Sequence, residues 1–138
     1  MSCFKTKMYL NGGRWVTDYY SMCKLDNGQI IKIVFSEEWS NNKYYYEIYL
    51  VVMTKRKSED DTTLKSTGKI GIKGLLWAKQ KIKEFEKFIK TEKTAPITIY
   101  CRWDDNRRRN VYAYGLKNLG YNYNMVFGSK ALCKTLLN

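Results

Sequence analysis

The run K-Y-Y-Y-E-I-Y-L-V-V-M, Lys43 to Met53, constrains the fold more than any other segment of the chain. Its β-branched and aromatic side chains suit a pleated surface, so it predicts the longest strand. Successive residues of a strand leave on opposite faces, and here both faces are apolar or aromatic. Tyr44, Tyr46, Ile48 and Leu50 share one face, and Tyr45, Tyr49, Val51 and Met53 share the other. A strand of this kind is expected at the centre of a sheet, covered on both sides.

The segments before it also read as strands. Phe4 to Leu10 mixes apolar and basic residues and ends at N-G-G-R (Asn11 to Arg14), where glycine supplies positive φ without steric cost. Tyr19 to Leu25 and Gln29 to Phe35 flank D-N-G (Asp26 to Gly28), a hairpin signal, and Ile31, Ile33 and Phe35 fall on one face. The polar stretches Glu37 to Asn42 and Thr54 to Lys65 read as surface loops.

Beyond residue 70 the period changes. Leu75, Ala78, Ile82, Phe85 and Ile89 recur at spacings of three and four, which predicts an amphipathic helix over Ile72 to Lys90. Pro96 stops it, and Ile97, Ile99 and Cys101 alternate with Thr98 and Tyr100 as a strand. Asp104 or Asp105 is a plausible N-cap for a second helix, on which Val111, Tyr112, Gly115, Leu116 and Leu119 share a face and Gly120 supplies the left-handed C′ position. Tyr121 to Leu137 reads as one or two strands around Gly128 and Ser129.

The length of 138 residues suits one hydrophobic core, so residues 1–138 are expected to form a single domain. A formal charge of +12, from 25 basic and 13 acidic residues, attracts polyanions: nucleic acid, coenzyme phosphates or an acidic protein partner. The 12 tyrosines among these cations could stack on single-stranded nucleic acid, although an aromatic core under a solvated basic surface is the plainer reading. The chain has no histidine, and its four cysteines, Cys3, Cys23, Cys101 and Cys133, form no C-x-x-C pair, so no metal site is expected. Lack of histidine also removes the Ser-His-Asp and Cys-His schemes. No signal-length or membrane-length apolar run is present, which predicts a cytoplasmic protein with reduced cysteines and no membrane partner.

Gly68, Gly71 and Gly74 precede the amphipathic stripe. A glycine loop opening a helix presents unpaired N–H groups and the positive end of the helix dipole, so Lys69 to Gly74 could wrap a pyrophosphate, with Lys69 and Lys73 adding charge. A tight strand-to-helix turn would use the same glycines. The loop lacks the G-K-[ST] ending of a P-loop and does not meet G-x-G-x-x-G. Arg107 to Arg109 would oppose the dipole of the second helix, and local pairing with Asp104 and Asp105 is the first explanation for them.

The segments S-T-G-K-I-G-I-K-G-L-L-W-A-K-Q-K (Ser66 to Lys81), A-P-I-T-I-Y-C-R-W and R-R-N-V-Y-A-Y-G-L-K-N-L-G-Y (Arg108 to Tyr121) stand in the order loop, helix, strand, helix. That order, over residues 43 to 137, resembles the acyl-CoA-binding half of the GNAT superfamily of N-acetyltransferases. The resemblance implies an α+β fold: a mixed, mainly antiparallel twisted sheet with two main helices packed on it, splayed between its fourth and fifth strands to admit acetyl-CoA. It implies direct attack of an amine on the acetyl thioester, by positioning and proton management. Lys69, Ile70, Gly71, Ile72, Lys73 and Gly74 would then bind the cofactor, with Glu47 as base. Tyr112 would stand in as the acid that protonates the thiolate, because Leu116 fills the usual tyrosine slot. Gly68 and Arg109 also replace the usual arginine or glutamine and asparagine. A packing tyrosine and a salt-bridged strand glutamate are the plainer readings of Tyr112 and Glu47. The rival function is a non-enzymatic binding or structural protein that docks its basic face on nucleic acid or an assembly partner. The abundance of Lys, Asn, Tyr and Ile is in the style of an AT-rich genome such as a phage's, which would place the protein in a host cytoplasm or a virion.

Overall fold

A computed structural model of the chain describes residues 4–25, 28–53, 63–102 and 115–136. The first four strands form an antiparallel meander: β1 (Lys5–Asn11), β2 (Arg14–Lys24), β3 (Ile30–Ser40) and β4 (Lys43–Met53). A long helix, α1 (Thr63–Glu92), then crosses to β5 (Ile97–Cys101), which pairs parallel to β4. The hairpin of β6 (Asn122–Val126) and β7 (Ser129–Leu136) joins through β7, giving the order β1-β2-β3-β4-β5-β7-β6. A parallel neighbour requires a crossover connection, and α1 is long enough to be one.

Turn chemistry fixes the register. Gly12 and Gly13 take φ of 61° and 81° between β1 and β2. Asn41 and Asn42 take 52° and 63°, the doubly left-handed two-residue turn that matches strand twist. β3 therefore runs through Glu37 to Ser40, where the polar composition predicts a loop; the strand is held by pairing with β4 from Ser40↔Lys43 inward. Phe127 and Gly128, at 49° and 79°, make the same kind of turn between β6 and β7.

α1 lies on one face of the sheet through the expected stripe. Ala78, Ile82, Phe85 and Ile89 are buried against Ile31, Ile33, Phe35, Tyr46, Ile48 and Leu50. Phe35 and Phe85 stack with ring centroids 3.9 Å apart, and Phe4 meets both edge-on. Complete burial of a side chain such as Phe85 contributes about 1.5–3 kcal/mol, so this seam holds the two layers together. Below it, Tyr121 is fully buried and donates to Glu86 at 2.9 Å, and Lys134 pairs with the same carboxylate at 2.9 Å. Gly120 takes the left-handed conformation at φ 93°, and the bonds from Gly120 N–H to Lys117 C=O and from Tyr121 N–H to Leu116 C=O close the short helical turn at 115–117.

The structure corrects the expected architecture. The anticipated GNAT-like α+β arrangement, with two main helices on the sheet, is not shown: the molecule is dominated by a seven-stranded mixed sheet, and among the described residues the only long helix is α1. α1 also begins at Thr63, well ahead of Ile72. The segment Lys69, Ile70, Gly71, Ile72, Lys73 and Gly74 is helical, where the glycines suggested a loop. Its amides lie beyond the first four residues of α1, where N–H groups bond back to carbonyls four residues earlier and none is left to cradle an anion. Three glycines cost roughly 1 kcal/mol each in a helix interior; the amphipathic stripe that follows is packed and carries the helix through them.

β4 is central, as its composition requires, but its two faces differ. Tyr46, Ile48 and Leu50 are sealed beneath α1, whereas on the other side Glu47 and Val51 line an open groove and Tyr49 is 42% exposed.

Candidate functional site

The parallel ladder between β4 and β5 runs from Tyr44↔Ile97 to Glu47↔Tyr100 and stops there. β5 ends at Cys101, one residue further on, while β4 continues to Met53 without a partner from it. On the face away from α1, this end of the ladder borders a groove of about 850 Å³. β1 and β2 supply one wall through Tyr9, Arg14 and Asp18, and β4, Tyr100 and Arg102 supply the other.

Glu47 is the centre of this wall. Its side chain is 11% exposed, and both of its oxygens are engaged. Arg102 donates from Nε at 2.9 Å and from Nη2 at 2.8 Å, a two-point grip of the kind that fixes both groups in plane. The Tyr49 hydroxyl donates at 2.9 Å and the Tyr100 hydroxyl at 3.3 Å. The strand pattern explains the cluster. Glu47 and Tyr49 are two residues apart and share a face, while Tyr100 is the register partner of Glu47 on β5.

The electrostatics follow from burial and from the carboxylate. Desolvation and then the charge of Glu47 push the Tyr49 and Tyr100 hydroxyls up, opposed by the Arg102 charge. Both phenols therefore hold their protons and act as donors. The hydrogen bonds to Glu47 push Arg102 up. Across the groove, burial and then the charge of Asp18 push Tyr9 up. Asp18 also lines the groove, and its Oδ1 is buried with no hydrogen-bond partner among the described residues.

Of the expected site residues, Glu47 is at the groove, held in the ion pair that was its plainer reading. Tyr112 and Arg107 to Arg109 lie outside the described residues. Leu116, in the slot where the resemblance would put a tyrosine, is buried in the core beneath α1. Lys69 to Gly74 lies in α1, the helix that packs on the other face of the sheet. Sequence reasoning missed Tyr49, Tyr100, Arg102 and Asp18. Their alternation on strands was legible, but nothing local tells that β5 lies beside β4 in the register that brings Arg102 to Glu47.

Among the described residues no group of three or more His, Cys, Asp or Glu side chains could hold a metal ion, and no helix is long and apolar enough to cross a membrane. No protein-family model matches the chain, and no similar protein was found among curated proteins or solved structures.

Proposed function

We propose that the groove beside the end of the β4–β5 ladder is an acyl-transfer site, binding acetyl-CoA and passing its acetyl group to an amine. The single observation that carries this reading is the cluster in the groove wall, where the Glu47 carboxylate accepts from the protonated phenols of Tyr49 and Tyr100. The activity itself is the one that the resemblance of residues 66–81 and 108–121 implies. An amine entering the groove would meet Glu47 and Asp18, and its nitrogen would attack the thioester carbonyl as the C–S bond breaks. Glu47 would accept the amine proton, in competition with Arg102, and Tyr49 or Tyr100 would protonate the departing thiolate. The helical Lys69 to Gly74 segment has no part in this scheme.

One observation favours a second reading, a groove that binds a ligand without turning it over. Arg102 already grips both oxygens of Glu47, and Tyr49 and Tyr100 donate to Oε1, so four donors compete with an incoming amine for that carboxylate. Two measurements separate the readings. Acetyl-CoA at saturating concentration should raise the melting temperature, since a ligand at 100 times its Kd adds about 2.7 kcal/mol. Coenzyme A should then be released with a mixed panel of amines, and Glu47→Gln should abolish release while keeping the thermal shift. A melting temperature unmoved by acetyl-CoA ends the transfer reading.

A further inference from the structure

On the α1 side of the sheet, beyond the end of the helix, a row of large side chains stands uncovered. Leu10 and Trp15 are direct partners across β1 and β2 and are 60% and 67% exposed. Trp39 and Tyr44 are direct partners across β3 and β4, with rings 4.5 Å apart, and Trp39 is 50% exposed. The two pairs share a face, because Trp15 and Trp39 each lie two residues beyond the Thr17↔Glu37 pair. Lys93 sits over the Tyr44 ring at 4.7 Å, just past the end of α1. From there, Lys90, Lys87 and Lys83 run up the outer face of the helix at spacings of three and four, all exposed.

We propose that this row and the lysine ridge beside it bind single-stranded nucleic acid. Bases stack on Trp15 and Trp39, and the phosphate backbone follows Lys90, Lys87 and Lys83. Two features of the surface select this partner. The first is charge: Lys93 and the Tyr46 hydroxyl take up the nearby carboxylate Glu37, and Lys90, Lys87 and Lys83 stand exposed on a chain of net charge +12. The second is shape. Trp39 is held against the Tyr44 ring, and strand pairing sets Trp15 on the same face, so the row offers flat aromatic surfaces that suit bases of any sequence. An anionic bilayer fits less well. The polar turns Gly12-Gly13 and Asn41-Asn42 lie beyond the rings at the leading edge, and inserting the rings would strip water from those backbones. The surface is independent of the groove, which opens on the other face.

The test is fluorescence anisotropy of a labelled thymidine 20-mer titrated with the full chain from 50 to 300 mM salt. Binding should weaken steeply with salt. Lys83→Gln, Lys87→Gln and Lys90→Gln together should flatten that slope by about 2, at about 0.7 for each phosphate contact. Trp15→Ala and Trp39→Ala should each weaken binding about 5- to 100-fold, the worth of one stacked base, whereas Trp39→Phe, which keeps a ring, should retain most of it. Melting curves of each variant show whether the fold is intact, and Trp15→Ala, at the more exposed ring, carries the test if Trp39→Ala does not fold. Absence of binding at 50 mM salt overturns the proposal, as does affinity indifferent to both tryptophans in folded variants. Tighter, tryptophan-dependent binding to phosphatidylserine vesicles than to the oligonucleotide would also overturn it, in favour of a membrane.

Discussion

The two faces of the central strand use the same backbone to opposite ends. Toward α1, Tyr46, Ile48 and Leu50 meet Phe35 and Phe85 in a dry seam where every large side chain has an apolar partner. Away from α1, Glu47, Tyr49 and Val51 meet Arg102, Tyr100 and an open groove. The first face derives its stability from area removed from water, which is insensitive to the identity of any single polar group. The second is ordered by directional bonds to one buried carboxylate, and such networks hold only while each member keeps its partner. The chain stakes its fold on the closed face and leaves its chemistry on the open one.

Four experiments break or sharpen that contrast. Alkaline titration should have the largest effect. Tyr19 is pushed up from 10.0 to about 12, chiefly by burial and then by Glu37, and Tyr46, Tyr49, Tyr100 and Tyr121 are all raised, with burial the leading cause in each. The native state keeps protons that the unfolded chain gives up. Stability is therefore intact below pH 10 and falls above it, through about 12 where Tyr19 ionises. Tyrosinate absorbance from the buried phenols and loss of circular dichroism should rise in one step; early ionisation of those phenols in a folded protein would contradict the packing of both faces.

Phe85→Ala removes the ring at the centre of the closed face and should cost about 3–5 kcal/mol, read as a lowered urea midpoint. On the open face, Arg102→Ala should cost less, about 2 kcal/mol. It strands the buried Glu47 carboxylate, but the arginine side chain is 40% exposed and water can replace part of its grip. Glu47→Gln combined with Arg102→Ala should recover part of that loss, because the stranded charge is gone; a double-mutant cycle measures the coupling. The smallest effect belongs to Arg14→Ala. Its contact with Glu38 is 3.5 Å long with both side chains well exposed, so the unfolding free energy from a urea titration should stay within about 0.5 kcal/mol of the parent.

Much of the closed face was legible in the sequence. Period two over Lys43 to Met53 and the stripe from Leu75 to Ile89 identify a buried strand and the helix that covers it, because each periodicity matches only one backbone geometry. Gly12, Gly28 and Gly120 sit at positive φ where turn chemistry predicts it. The start of α1 was not legible: glycine spacing indicates backbone freedom, and whether that freedom is used in a loop or overridden by a growing helix depends on what the helix packs against. The site was legible only at Glu47. Arg102 reaches it across 55 residues of chain, through a parallel pairing that no local pattern encodes.

The sequence by itself determined which side chains seek burial and at what period, and hence the strand meander, the amphipathic helix and a strongly cationic surface. Only the tertiary structure decided that β5 lies parallel beside β4 with Tyr100 against Glu47, and that α1 shields one face and leaves the other open. It alone brought Trp15 and Trp39 to a common row. The physical reason is that periodicity is a property of neighbours along the chain, while a groove and a two-point ion pair are set by register between strands far apart in sequence, where one residue of slip would turn every side chain to the other face.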